Sequence, residues 1–283
     1  MTRIRRSILF VPADKPERIE KAATLSTDVV VIELEDGVSP ENKDFARKEA
    51  GRAIERVDFG NKEVALRVNR ISTLHGLEDM KAMAKWAKKP DLVLLPKVES
   101  AGEVRIYDDL ISQMKAKLEF MVMIESSRGI LNAAKIVPAS PRVSCLALGV
   151  ADLSAELGSQ MSWDAMFIHR ASIVLACGLT GIMPIDSPYL NIRDETGLLK
   201  ECKKVREMGY TGKLCIHPSQ LALVNGAFTP STEEVARARR IVKAAETQGT
   251  GALVLDGKMV DTPVIKSAQR IVEAAERLDL DLI

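Results

Sequence analysis

Acidic side chains follow two apolar stretches near the middle of the chain. Glu125 comes directly after Phe120–Ile124, and Asp152 comes shortly after Val143–Leu148. Carboxylate oxygens suit Mg²⁺, which proteins usually hold through one or two carboxylates together with waters and substrate oxygens. If the two stretches are neighbouring strands, both side chains can converge on one ion. The alternative is that Asp152 and the serines after Glu125 cap the following helices, and the spacing leaves both possibilities open.

An arginine and a histidine occupy comparable positions elsewhere. Arg67 emerges from the apolar run that begins at Val64. Its guanidinium can bind a substrate carboxylate through two hydrogen bonds, or it can form a structural ion pair with Glu35 or Asp36. His217 follows another apolar run, and a single histidine at such a position more often completes a hydrogen-bond network than catalyses a reaction.

Eight short apolar runs precede these residues, and charged stretches with helical periodicity separate them. The runs are near-continuous in hydrophobicity, as parallel strands covered on both faces are. They are Ser7–Val11, Val29–Leu34, Val64–Val68, Leu92–Leu95, Phe120–Ile124, Val143–Leu148, Gly181–Ile185 and Lys213–Ile216. Eight such units predict an α/β fold of the (β/α)8 barrel type, whose chemistry sits where the strands end. A doubly wound sheet is disfavoured because neither GxGxxG nor GxxxxGK[ST] occurs.

The remainder of the chain exceeds what a barrel needs. We expect residues 1–228 to form the barrel and residues 229–283 to form a C-terminal extension of the same domain. Leu253–Asp261 has the pattern of a hairpin that turns at Asp256 and Gly257. Pro263 suits the first turn of a final helix.

Composition excludes several classes of function. Lys and Arg number 40 against 39 Asp and Glu, and this balance argues against a nucleic-acid binder or a polybasic membrane-binding protein. The four cysteines form no CxxC pair, so a zinc knuckle is not expected. No apolar stretch approaches the length of a membrane span. We therefore expect a soluble, cytoplasmic protein with reduced cysteines.

Seven segments taken together resemble the citrate lyase beta-chain family, which includes the malyl-CoA and citramalyl-CoA lyases of the HpcH/HpaI aldolase superfamily. The resemblance runs from about residue 3 to residue 278. Each segment is weak alone, but their order and spacing are specific. They are Arg5–Pro12, Leu34–Val38, Leu66–Asn69, Leu95–Glu99, Ile124–Ser126, Ala147–Asp152 and Leu255–Pro263.

The resemblance implies roles for individual residues. Glu125 and Asp152 would bind Mg²⁺, with Mn²⁺ as a possible substitute. Arg67 would face the reacting oxygens of the substrate. Glu35 and Asp36 would surround the metal and its waters, Asp36 among the catalytic residues, and Glu35 in contact with substrate together with Arg67 and Asp152. A further role falls to Asp261, which would reach a neighbouring subunit as an acid/base group, so a homotrimer or hexamer is implied.

The resemblance also implies the reaction, the reversible cleavage of a 3-hydroxyacyl-CoA thioester into acetyl-CoA and a 2-oxo acid. Malyl-, citramalyl- and citryl-CoA remain open as substrates. Two other possibilities are an aldolase that acts on 4-hydroxy-2-oxo acids without CoA, and a subunit that acts on an acylated carrier protein within a larger assembly.

Three basic residues near the first apolar run are candidates for binding the CoA phosphates. Arg6, Lys15 and Arg18 lie beside the loop that follows this run. Surface salt bridges with Glu17 and Glu20 are the alternative.

Overall fold

The computed structural model describes residues 3–248, 253–255 and 257–280. The chain divides into two compact units. One is Arg5–Asn225. The other comprises the described part of the chain from Gly226 onward, with residues 3 and 4. The predicted division into residues 1–228 and a 229–283 extension of the same domain stays a prediction.

Eight parallel strands form a closed barrel in the first unit, so the predicted (β/α)8 fold is confirmed. The strands are β1 Ser7–Pro12, β2 Val29–Glu33, β3 Glu63–Arg67, β4 Leu92–Leu95, β5 Glu119–Ile124, β6 Val143–Leu148, β7 Met183–Asp186 and β8 Gly212–Cys215. Pairing of β1 with β8 closes the barrel. The seventh strand begins later than predicted because Gly181 turns the chain with a φ of +75°.

Eleven α-helices lie in the described ranges, the last two of them in the C-terminal unit, and most begin at a polar cap. They are α1 Pro16–Thr24, α2 Lys43–Arg56, α3 Leu74–Lys85, α4 Ala101–Gln113, α5 Ser127–Ile136, α6 Val150–Leu157, α7 Trp163–Gly178, α8 Glu195–Met208, α9 Leu221–Phe228, α10 Thr232–Gln248 and α11 Thr262–Arg277. Ser100 and Glu103 form a reciprocal capping box at α4. No helix in the described ranges is long and apolar enough to cross a membrane.

Alternate residues of every strand fill the barrel interior. Val29 and Val31 of β2, Ala65 of β3 and Met121 and Met123 of β5 belong to one buried cluster. Since side chains alternate across a strand, the next positions of the same parity also point inward. Those positions are Glu33, Arg67 and Glu125, which places three charged groups above the apolar core at the carboxyl ends of the strands.

The C-terminal unit has its own small core. Buried residues of α10 and α11 pack with Val260, which lies at the end of a strand. Two antiparallel strands, β9 Leu253–Leu255 and β10 Lys258–Val260, form the predicted hairpin. Gly257 provides the turn with a φ of +73°, while Asp256 lies outside the described residues.

Candidate active site

Arg67 lies at the end of β3 and is buried in a cage of acidic and aromatic groups. Its Nε donates a short hydrogen bond to the carboxylate of Glu33, and its Nη1 lies 3.1 Å from Oε2 of Glu35. The guanidinium carbon is 4.9 Å from the ring centroid of Phe10. The predicted ion pair with Glu35 is therefore present. The predicted contact between Arg67 and substrate stays a prediction.

Glu33 is a site residue that the sequence analysis did not single out. It is 2% exposed, and its carboxylate also accepts a hydrogen bond from the backbone N–H of Glu35. Burial raises the pKa of the Glu33 carboxyl, although the positive charge of Arg67 opposes this shift. Gly37 leaves room for this side chain, because a Cβ there would lie 2.8 Å from Cγ of Glu33. The inward direction of Glu33 follows from the alternation of side chains along β2, which the continuous apolar sequence Val29–Ile32 does not reveal.

Glu125 follows β5 and is 3% exposed. Its Oε1 accepts a hydrogen bond of 2.7 Å from the backbone N–H of Lys97. Burial, followed by the negative charge of Glu35 and a smaller effect of Asp152, raises its pKa to about 8. Gly149 makes room for this carboxylate, because a Cβ there would lie 2.6 Å from Oε2 of Glu125. The glycine is thus required by close packing and not by a turn.

Asp152 lies in the first turn of α6 and is exposed. The N-cap of this helix is Gly149, so Asp152 is not the cap that the alternative interpretation assumed. Ser126 does cap α5, accepting a hydrogen bond from the backbone of Gly129. The capping interpretation therefore holds for Ser126 and not for Asp152. The negative charge of Asp152 contributes to the raised pKa of Glu125.

The donor set suits Mg²⁺. Glu125, Asp152 and Glu35 supply hard oxygens, and their mutual repulsion is part of what raises the Glu125 pKa. Oε2 of Glu35 is buried and, apart from its ion pair with Arg67, accepts no hydrogen bond from any residue that the structure describes. Within the described ranges, no three or more His, Cys, Asp or Glu side chains are grouped so that they could hold a metal ion together. The site therefore fits an ion held by few protein ligands, and the metal-binding roles of Glu125 and Asp152 stay predictions.

We predict that Mg²⁺ binding displaces a proton from Glu125. With a pKa of about 8 in place of the ordinary 4.5, the metal-free carboxyl carries a proton at pH 7 that a metal ligand must lose. Apparent Mg²⁺ affinity should rise about tenfold per pH unit up to about pH 8 and then level off. Calorimetric titration in buffers of different ionisation enthalpy should detect about one proton released per ion at pH 7. Binding without proton release would contradict this prediction.

The same raised pKa affects folding in the opposite sense. The pKa of Glu125 in the folded protein lies above its ordinary value of 4.5, which applies to the unfolded chain. Protonation of Glu125 therefore stabilises the metal-free fold, and this stabilisation is complete below pH 4.5. This stabilisation is lost as the pH rises through about 8.

Lys97 joins the acidic residues of the site, although the sequence analysis gave it no role. Its Nζ lies 2.7 Å from Oε1 of Glu35 and 3.0 Å from Oδ2 of Asp36. Burial favours a higher pKa for Asp36, but the hydrogen bond and charge of Lys97 outweigh it and hold this pKa below its usual value. The two acidic residues predicted to surround the metal are thus paired with Lys97.

A second layer of buried polar residues fixes the backbone that carries Glu35. Nζ of Lys43 donates hydrogen bonds of 2.6 Å to the carbonyl oxygens of Leu34 and Glu35 and one of 2.8 Å to Oδ1 of Asn69. Asn69 in turn donates to Asp79 through both its backbone and its side chain. These contacts span β2, β3, α2 and α3, and no local sequence pattern indicates them.

A pocket of about 560 Å³ opens beside Arg67 and extends towards α1 and the loop after β8. Arg18, predicted to bind CoA phosphates, lines it together with Lys21 and His217. The other two predicted residues lie elsewhere. Lys15 is 3.6 Å from Asp14, and Arg6 pairs with Asp28 at the amino ends of β1 and β2. The binding roles of Arg6, Lys15 and Arg18 stay predictions.

Asp261 belongs to the C-terminal unit, where it caps α11. Its Oδ1 accepts a hydrogen bond of 3.4 Å from the backbone N–H of Val264. The predicted acid/base role in a neighbouring subunit stays a prediction.

Comparison with known proteins extends over nearly the whole chain. Residues 6–218 match the profile of the HpcH/HpaI aldolase/citrate lyase family. An L-malyl-CoA/beta-methylmalyl-CoA lyase of Cereibacter sphaeroides is 36% identical over 299 residues, covering 95% of this chain and 94% of the relative. A (3S)-malyl-CoA thioesterase of the same species is 36% identical over 278 residues, covering 96% and 95%.

Solved structures of other proteins are also similar to this chain. The CitE protein of Mycobacterium tuberculosis, in complex with magnesium, acetoacetate and coenzyme A, has a TM-score of 0.80 and 33% identity, covering 98% of this chain and 100% of its own. RipC from Yersinia pestis has a TM-score of 0.73 and 34% identity, covering 83% and 100%.

Proposed function

The chain belongs to the HpcH/HpaI aldolase/citrate lyase family, and from the residues of its site we propose that it is a Mg²⁺-dependent carbon–carbon lyase. It cleaves a 3-hydroxyacyl-CoA thioester reversibly into acetyl-CoA and a 2-oxo acid. The observation that carries this proposal is the juxtaposition of Arg67 with Glu35 and Glu125 at the carboxyl ends of the strands, beside an open pocket. Relatives named as malyl-CoA lyases support the substrate class.

The chain's own residues divide the chemistry between charge stabilisation and proton transfer. Glu125 and Asp152 would hold Mg²⁺, which supplies Lewis-acid stabilisation of negative charge on substrate oxygens. Arg67 would stabilise the same charge from a preorganised, water-poor position. As the carbon–carbon bond breaks, the substrate hydroxyl would lose its proton to solvent and become the carbonyl of the 2-oxo acid. The acetyl-CoA fragment would leave as a thioester enolate, and Asp261 would donate a proton to its carbon, or remove that proton in the condensation direction. Asp36 would assist from the layer around the ion.

The family resemblance gives Asp261 an acid/base role in the active site of a neighbouring subunit. We propose a homo-oligomer, a trimer or hexamer, in which a neighbouring subunit provides this residue. Binding of the CoA phosphates falls to Arg18, which lines the pocket, with Lys15 at the start of α1 as a further candidate. Arg6 is a weaker candidate because it pairs with Asp28 at the amino ends of the strands. We place the protein in the cytoplasm, and its four free cysteines support this location.

We predict that Asp261→Asn lowers kcat about 10²- to 10⁴-fold while the dissociation constant for Mg²⁺ is unchanged. Asparagine keeps a side-chain oxygen that can cap α11, so folding should be preserved. Asp194→Asn is a matched control because Asp194 also caps a helix, accepting a 2.9 Å hydrogen bond from Gly197. If Asp261 were only a cap, both variants would retain full turnover.

Steady-state assays with malyl-, citramalyl- and citryl-CoA test the proposed function directly. Acetyl-CoA and a 2-oxo acid should appear together, and only with Mg²⁺ or Mn²⁺ present. Release of free CoA would indicate thioester hydrolysis, the activity named for the thioesterase relative. Cleavage of a 4-hydroxy-2-oxo acid without CoA would instead favour the aldolase. If only an acylated carrier protein is turned over, the protein works as a subunit of a larger lyase.

A further inference from the structure

Lys97 connects the two halves of the acidic site through different parts of the same residue. Its backbone N–H donates to Oε1 of Glu125, 2.7 Å away. Its ammonium contacts Oε1 of Glu35 at 2.7 Å and both carboxylate oxygens of Asp36 at 3.0 and 3.2 Å. Lys97, in the loop after β4, therefore connects the end of β2 with the end of β5.

The backbone of Lys97 is in the left-handed region, with a φ of +50°. Residues with a Cβ adopt this region rarely, and such outliers concentrate at functional sites. A glycine would adopt this conformation more easily and would still donate the N–H to Glu125. Lysine at this position combines that backbone donor with an ammonium that reaches Glu35 and Asp36.

The ammonium is positioned as a counter-ion to the carboxylates. Glu35 and Asp36 are adjacent in sequence and both reach the Lys97 ammonium, and the negative charges of Glu35 and Asp152 are among the causes of the raised Glu125 pKa. The Lys97 side chain is 31% exposed, so it can leave these partners for solvent without becoming buried and unpaired. A divalent cation and this ammonium satisfy the same electrostatic demand.

We propose that Lys97 is a built-in counter-ion that pairs with Glu35 and Asp36 in the metal-free protein and competes with Mg²⁺ for their negative charge. This inference rests on the proposed Mg²⁺ site. Lys97 is a positioning residue in this scheme: it keeps the carboxylates ordered before the ion arrives and weakens the binding of the ion by like-charge repulsion.

The test is a calorimetric Mg²⁺ titration of the full chain carrying Lys97→Met or Lys97→Arg. Loss of the positive charge in Lys97→Met should lower the Mg²⁺ dissociation constant about tenfold. Lys97→Arg keeps the charge and should stay within about threefold of the wild type. Adding saturating Mg²⁺ should raise the Tm of Lys97→Met by about 3 °C more than it raises that of the wild type.

Arg70→Met is the matched control. Arg70 is 32% exposed on the same rim and pairs with Glu99 and Glu103 at 2.8 and 2.9 Å, so its removal takes away one positive charge without freeing Glu35 or Asp36. Its Mg²⁺ affinity should stay within about threefold of the wild type.

Weaker or unchanged Mg²⁺ binding in folded Lys97→Met would overturn the competition and leave the proposed metal site standing. Equal tightening in Arg70→Met would overturn it too, since the effect would then be one of net charge. A wild-type protein that binds no Mg²⁺ would overturn the metal site and, with it, this inference.

Discussion

Glu125→Gln should abolish metal-dependent cleavage, reducing kcat/KM by about 10³-fold or more, and should weaken Mg²⁺ binding by about 10²-fold. Glutamine has nearly the same shape, and its carbonyl oxygen can still accept the hydrogen bond from the backbone of Lys97. What it removes is the negative charge that would hold the ion. Chelation with EDTA should abolish wild-type turnover in the same way, and Mg²⁺ or Mn²⁺ should restore it.

The folding of the variant separates loss of charge from loss of structure. At pH 9 the wild-type carboxylate is ionised in a buried site, because its pKa is about 8, whereas glutamine is neutral. Metal-free Glu125→Gln should therefore have a higher Tm than the wild type at pH 9, and this difference should shrink steadily as the pH falls towards 4.5.

Glu119→Gln is the matched control, because Glu119 begins the same strand, β5, at the opposite end of the barrel. It pairs there with Arg5 at 2.6 Å. This variant should keep its Mg²⁺ affinity and turnover. Full activity of Glu125→Gln in the presence of EDTA would contradict the metal-dependent mechanism.

The barrel could be predicted from the sequence because its physical cause is local. Each strand is buried on both faces, so eight apolar runs separated by helical stretches leave few other folds. The ends of the apolar runs indicate the acidic residues of the site for the same reason. The order of the strands then brings Glu125 and Asp152 near each other, since β5 and β6 are hydrogen-bonded neighbours.

Which strand-end residues point into the barrel could not be decided from a list of polar residues. Asp186 ends β7 as Arg67 ends β3, yet it points outward and pairs with Arg170 at 2.9 Å and with Lys213. Side chains alternate along a strand, so Asp186, which follows inward-facing Ile185 directly, points outward. Arg67 follows inward-facing Ala65 by two positions and therefore points inward. Parity needs strand limits accurate to one residue, and near-continuous hydrophobicity does not give them.

Sequence patterns do not indicate the contacts of Lys97, for a different reason. Its position depends on a left-handed backbone and on carboxylates from two other strands, which are tertiary features. The buried contacts of Lys43 with the carbonyl oxygens of Leu34 and Glu35 are equally non-local. Propensity and periodicity describe neighbours in sequence. They indicate where the strands end, but not which lysine or arginine side chains pair with residues from other strands.

Arg67→Lys should lower kcat/KM about 10²- to 10³-fold while the Tm falls by only a few degrees. Lysine keeps the positive charge that Glu33, 2% exposed, needs in order to stay buried. It loses the planar donor fork that contacts Glu33 and Glu35 from two nitrogens and stacks over Phe10. Steady-state kinetics at saturating Mg²⁺ and thermal unfolding measure the two effects separately.

Arg170→Lys is a close control, since Arg170 is also buried, pairs with a buried aspartate and lies 5.1 Å from the ring centroid of Trp163. It differs in belonging to α7 on the outside of the barrel. If the guanidinium of Arg67 stabilises reacting oxygens, the two variants should lose similar thermal stability but only Arg67→Lys should lose turnover. Equal kinetic losses would show that Arg67 acts through the stability of the barrel, and its assignment to the reaction would then be wrong.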